Sequence, residues 1–161
     1  MQPHWQNIHM TAPRSRKDKN TIDTSYLESL VGYNARRASL VIIGTVMQHM
    51  GAHDLRIVDF SILSLVAHNP GITSRQLSSH LNLLPPNLVG MVNALEKRQL
   101  IERQPHPDDG RALGLHLTEP GASLMAEAEQ TIERLEIEAT AALTAAERKT
   151  LIRLLLKIYR P

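Results

Sequence analysis

TSRQLSSHLNLLPPNLVGMVNALEKR, residues 73–98, is the stretch whose reading decides the fold. Thr73-Ser74-Arg75-Gln76 has capping-box spacing, in which a hydroxyl caps the helix and a glutamine three residues on reaches back. The helix that follows is short and ends near Leu81, and Asn82 begins a tight turn. Pro85 and Pro86 suit the first turn of the next helix, where a missing N–H costs nothing. That helix runs to about Arg98, with Leu88, Val92 and Leu95 facing inward. A short helix, a turn of about four residues and a longer helix make the helix-turn-helix spacing.

Downstream, Leu100–Arg103 reads as one short strand. Leu113–Leu117 reads as another, with leucine at alternate positions as in a half-buried strand. Gln104 to Gly110 between them carries prolines and an Asp-Gly pair, the chemistry of a hairpin loop. A β-hairpin directly after a helix-turn-helix is a wing. Thr118 then caps a long helix with apolar Leu124, Met125, Ala128, Ile132, Leu135, Ala139 and Ala142. Thr144–Glu147 is a second capping box, opening a last helix with Leu151, Leu154, Leu155 and Ile158 on one face.

Upstream, apolar residues recur at three- and four-residue steps from Thr24 to about Met50, which predicts one long helix ended by Gly51. A second helix spans about Ile57 to His68, and Asn69-Pro70-Gly71 stops it. Residues 1–22 are polar, with Pro3, Pro13 and the cations Arg14, Arg16, Lys17 and Lys19, and are expected to form a disordered basic arm. The expected organisation is therefore mainly α with a small β-hairpin wing. An N-terminal helix (23–52) and C-terminal helices (119–161) flank a winged helix-turn-helix domain (55–118). The stripes of the flanking helices have no sufficient home within one chain, so pairing across a two-fold axis is expected.

Composition narrows the classes. Apolar residues are 42% of the chain but aromatics only 3%, so the core must be aliphatic. The absence of cysteine excludes disulfides, thiolate catalysis and Cys-based zinc sites. No apolar run reaches the roughly 18 residues of a membrane span, and the N-terminus lacks a signal-peptide layout, so a cytoplasmic location is expected. There is no nucleophile elbow, phosphate loop or His-Glu-x-x-His, so no enzyme is expected. No cofactor is expected either.

The order of elements is similar to that of MarR-family transcription regulators. The residues that carry the resemblance are Asp109-Gly110-Arg111-Ala112 and Leu115-His116-Leu117-Thr118-Glu119-Pro120-Gly121 in and after the wing. Leu95-Glu96-Lys97-Arg98, Leu100-Ile101, Pro70-Gly71 and Gln76-Leu77 match as well. The resemblance covers roughly residues 24–160. Two positions depart from it. Gly90 stands inside the recognition helix where the family often has a basic residue, at a cost of about 1 kcal/mol of helix stability. Gln99 stands at the helix end where the family usually has glycine.

The resemblance implies double-stranded DNA as partner, with the second helix in the major groove. Asn87 would pair with adenine, Pro86 or Val89 would touch a thymine methyl, and Gly90 and Asn93 complete that face. Thr73, Ser74 and Arg75 would contact phosphates. Arg111 would enter a narrow minor groove, held by Asp109; the plainer alternative is a pair that only stabilises the hairpin. The resemblance also implies a homodimer that binds a small aromatic acid, phenol or coenzyme A thioester and then releases its operator. Tyr33, Arg36, Arg37, His49 and His53 are the polar groups to examine for that effector. Two rivals stay open: a winged helix that binds proteins, and a metal-responsive regulator using His49 and His53, which lie four residues apart.

Overall fold

The computed structural model of the chain describes residues 22–106 and 109–160. The predicted basic arm, and the tip of the wing, fall outside them. The chain divides at Arg36/Arg37 into two units, each taken by itself below.

In the first unit the predicted single helix is broken. A short helix α1 spans Ser25–Glu28, and α2 starts at Val31 and runs to Met50. Asn34 causes the break: its Nδ2 donates to the carbonyls of Glu28 (2.6 Å) and Leu30 (2.8 Å). The Ser29 N–H is shared between the Ser25 and Tyr26 carbonyls (both 3.2 Å), and the Leu30 N–H turns to that of Leu27, three residues back (3.0 Å). A side-chain amide that takes over backbone carbonyls competes with the helix ladder.

The second unit holds the rest of α2, a 3₁₀ turn (Gly51–His53), α3 (Ile57–His68), β1 (Ile72–Thr73), α4 (Ser74–Leu81), α5 (Pro85–Lys97), β2 (Ile101–His106), β3 (Asp109–Leu117), α6 (Glu119–Ala139) and α7 (Ala145–Tyr159). Both predicted capping boxes form. Thr73 Oγ1 accepts from the Gln76 N–H at 3.3 Å, and Gln76 Oε1 accepts from the Thr73 N–H at 2.8 Å. Thr144 and Glu147 repeat the exchange at 3.3 and 2.8 Å. The hairpin strands are longer than the leucine pattern marked, and a third strand joins them in the order β1-β3-β2. Ile72 faces Leu115 and Thr73 faces Gly114, which ties the entry of α4 to the wing.

The core is aliphatic. Ile62, Leu63 and Val66 of α3 meet Leu77 of α4, Leu88, Val92 and Leu95 of α5, Ile101 and Leu115 of the sheet, and Met125, Ala128 and Leu135 of α6. Two glycines sit where a side chain has no room. A Cβ on Gly114 would lie 2.8 Å from the Gly71 carbonyl oxygen, and one on Gly121 would lie 1.9 Å from that of Leu100. No helix among the described residues is long and apolar enough to cross a membrane.

Candidate nucleic-acid interface

Helix α5 is amphipathic in the sense the interface needs. Leu88, Val92 and Leu95 are buried on one side. Pro86, Asn87, Val89, Gly90 and Asn93 are exposed on the other. The five predicted reading residues therefore share the outward face, as the 3.6-residue repeat requires. Leu84 before the helix and Val89 within it are 70% and 48% exposed, so the face is apolar in part. From Pro85 to Leu95 it carries no charged residue.

Between α4 and α5 lies a groove of about 540 Å³, lined by Ser74, Arg75, Ser78, Asn82, Pro85 and Val89 among others. Asn82 turns the chain at its edge with φ 51°, a left-handed conformation that asparagine tolerates better than most residues. Ser78 Oγ donates to the Leu83 carbonyl at 2.6 Å and so fixes the turn between the helices. Arg75 is exposed on the rim and Ser74 is half-buried. The Thr73 hydroxyl and N–H are both engaged with Gln76 in the cap.

Asn93 has a partner that the sequence reading missed. Arg103, on β2, donates to Asn93 Oδ1 at 2.7 Å and to Glu96 Oε2. One guanidinium thus joins the outward side of α5 to the wing. Asp109 and Arg111 lie in β3, on the rising arm of the wing, and their proposed side-chain contact falls outside the described side chains.

The C-terminus of α5 is a Schellman ending. The Leu100 N–H bonds the Leu95 carbonyl at 3.1 Å, and the Gln99 N–H bonds that of Glu96 at 2.9 Å. Gln99 takes the left-handed residue of that motif at φ 57°. This is where the resemblance called for glycine, and the helix nonetheless ends in the glycine manner.

A buried acid braces the entry of α3. Asp59 is 4% exposed. It accepts from the Arg56 backbone N–H (3.2 Å) and from Arg56 Nε and Nη2 (both 2.7 Å). Burial by itself would raise the Asp59 pKa, but the Arg56 hydrogen bonds and the charges of Arg56 and Arg98 outweigh it and hold it below the ordinary carboxylate value. An arginine in the capping position escaped the sequence reading because serine, threonine and aspartate are the usual signal there.

The predicted effector groups are placed separately. Tyr33 and Arg36 belong to the first unit, where Tyr33 is half-buried and Arg36 exposed. In the second unit Arg37 is exposed. His49 Nδ1 turns back to the Thr45 carbonyl at 2.9 Å, whereas His53 Nε2 meets Thr131 Oγ1 of α6 at 3.2 Å. The two histidines thus have different partners. Among the described residues no group of three or more histidine, aspartate or glutamate side chains is arranged to hold a metal ion.

A helix-turn-helix followed by a β-hairpin, with an exposed second helix, defines a winged-helix protein. The MarR family model matches residues 55–113. A transcriptional regulatory protein for the hcr operon of Thauera aromatica is 38% identical over 101 residues, 63% of this chain and 61% of that protein. The matched segment thus spans less than two thirds of that relative. Among solved structures, the transcriptional repressor CouR bound to a 23-mer DNA duplex is 32% identical and superposes with TM-score 0.80, covering 87% of this chain and 99% of CouR. CouR bound to p-coumaroyl-CoA aligns over the same shares at 30% identity, with TM-score 0.75. The chain belongs to the MarR family of transcriptional regulators.

Proposed function

We propose that the chain is a homodimeric repressor that binds a pseudo-palindromic operator and leaves it when an aromatic acid, a phenol or an aromatic acyl-coenzyme A binds. Residues 55–118 form the DNA-binding lobe, and the helices within 23–52 and 119–161 pair the two copies. The observation that carries the reading is the outward, exposed face of α5, next to the α4 entry and the wing. A helix of this kind fits the major groove, and the wing lies over the neighbouring backbone. The CouR repressor, similar over nearly its whole length, has been seen both on DNA and with p-coumaroyl-CoA.

The apolar side chains left exposed support the dimer. On α2 these include Leu40, Val41 and Met47, and on α7 Ile152, Leu154, Leu155 and Ile158. They are too many to leave in water on two helices, and a two-fold axis covers both sets at once. Arg37, exposed on α2, is the guanidinium we assign to an effector carboxylate.

The test is binding to DNA from immediately upstream of the chain's own gene, in rising salt, with and without a panel of aromatic acids and their coenzyme A thioesters. Expected are tight binding that weakens steeply with salt and loss of binding with at least one compound. Binding no tighter than to random duplex at low salt would sink the regulator in favour of a protein-binding module. Tight binding indifferent to every compound would remove the effector class.

A further inference from the structure

We propose that Arg103 makes Asn93 a donor-only reader, so that the outward face of α5 meets a guanine rather than an adenine at residue 93. The inference rests on the DNA-binding reading above and specifies one base and the residue that selects it. A guanidinium can only donate, so the Asn93 amide must turn its oxygen toward Arg103. The bond from Arg103 Nη2 to Asn93 Oδ1 is 2.7 Å. Arg103 Nη1 is held by Glu96, three residues further along α5, so the guanidinium is fixed from two sides. Glu96 also neutralises it, and Arg103 therefore acts on DNA through Asn93 rather than as an unpaired cation. What remains to Asn93 is its Nδ2 group, on an exposed side chain, and Nδ2 donates to no described residue. Asn87, the other amide of this face, has no such tether among the described residues.

The edges of the bases in the major groove then separate. An asparagine takes adenine bidentately by accepting from N6–H and donating to N7. Asn93 has committed its acceptor to Arg103. Cytosine presents the N4–H donor and meets no acceptor at Asn93. Thymine presents one acceptor, O4, beside a methyl. Guanine presents two acceptors side by side, O6 and N7, which suit an amide group with two hydrogens. The charge of Arg103 on Oδ1 also polarises the amide and strengthens Nδ2 as a donor.

The experiment uses the full chain. Duplexes are selected from a random pool by wild type and, separately, by each variant. Asn93→Ala marks the base pair that residue 93 reads, as the pair at which preference disappears. Wild type is expected to prefer G·C at that pair by about tenfold. Arg103→Ala frees Oδ1, and the preference should pass to A·T. Arg103→Lys, whose ammonium also only donates, should keep G·C. Asn93→Asp keeps an acceptor for Arg103 but has no donor, so it should turn the pair round to C·G. A purely structural tie would behave differently: Arg103→Ala would weaken binding without changing the base chosen.

An unchanged G·C preference in Arg103→Ala would overturn the proposal, as would a wild-type preference for any other pair at that place. A uniform loss of affinity in Asn93→Ala, with no pair affected, would put Nδ2 on a phosphate and overturn it too. If wild type selects no sequence at all, the DNA-binding reading fails and the base assignment fails with it.

Discussion

The carbonyl oxygen of Leu100 lies 1.9 Å from where a β-carbon on residue 121 would stand, so the start of α6 and the start of the wing are in contact through the bare backbone of Gly121. The same junction carries hydrogen bonds from the Thr118 N–H to the Leu100 carbonyl (3.2 Å) and from the Thr118 hydroxyl to that of Gln99 (2.5 Å). Gly121→Ala must push the two backbones apart and break these bonds. A loss of about 3 kcal/mol or more is expected, at the severe end of overpacking. Chemical denaturation of wild type and variant measures it; a loss under about 1 kcal/mol would mean the junction yields easily.

Gln99 makes the opposite prediction. A non-glycine residue in the left-handed region costs roughly 1–2 kcal/mol; glycine removes that strain but loses part of the gain to its greater freedom in the unfolded chain. Gln99→Gly should therefore stabilise the protein by roughly 0.5–1 kcal/mol, seen as a higher melting temperature. Unchanged or reduced stability would show that the Gln99 side chain contributes something its backbone does not.

Asp59 sets a pH dependence with a definite sign. Its pKa in the folded chain is held below the ordinary value, so its contribution to stability is fully present above that ordinary value, 3.8. It is lost as the pH falls through the lower folded value. Asp59→Asn should cost about 1–3 kcal/mol at neutral pH, because the Arg56 donors lose their charged acceptor. Below pH 3.8 the difference between wild type and variant should narrow. A constant difference across the acid range would remove the carboxylate from the account.

Arg103 is expected to matter for DNA more than for folding. Its ion pair with Glu96 is partly exposed, so Arg103→Ala should cost less than about 1 kcal/mol of stability. It should nonetheless reduce operator affinity about tenfold, because Asn93 and the wing lose their common anchor. Comparing the single variants Arg103→Ala and Asn93→Ala with the double variant tests this: strict additivity on DNA would show that the two residues act apart.

Much of this fold was legible, and the reasons are local. A capping box satisfies orphan N–H groups within four residues, so Thr73/Gln76 and Thr144/Glu147 announce their helices without help from the rest of the chain. The outward face of α5 follows from its apolar repeat. The break at Ser29–Leu30 escaped because the apolar repeat continues across it, and only the reach of the Asn34 amide to two carbonyls interrupts the ladder. Strand β1 is two residues long and exists because β3 lies beside it. The engagement of Arg103 with Asn93 required β2 to fold back along α5. The Asn34 and Arg56 contacts are as local as the capping boxes and escaped because neither residue type announces that role, whereas β1 and the Arg103–Asn93 bond needed partners brought together by the fold.

Helix α7 has 15 residues and none of them is buried. Helices of that length are marginal when alone in water. Arg148 ties its first turn to Thr140 and Leu143, while Leu154, Leu155 and Ile158 are left exposed. If a second copy covers them, dilution and melting become one process at this end of the molecule. The melting temperature will then rise with protein concentration by mass action, and the amount of protein present will govern how much of it is fully structured.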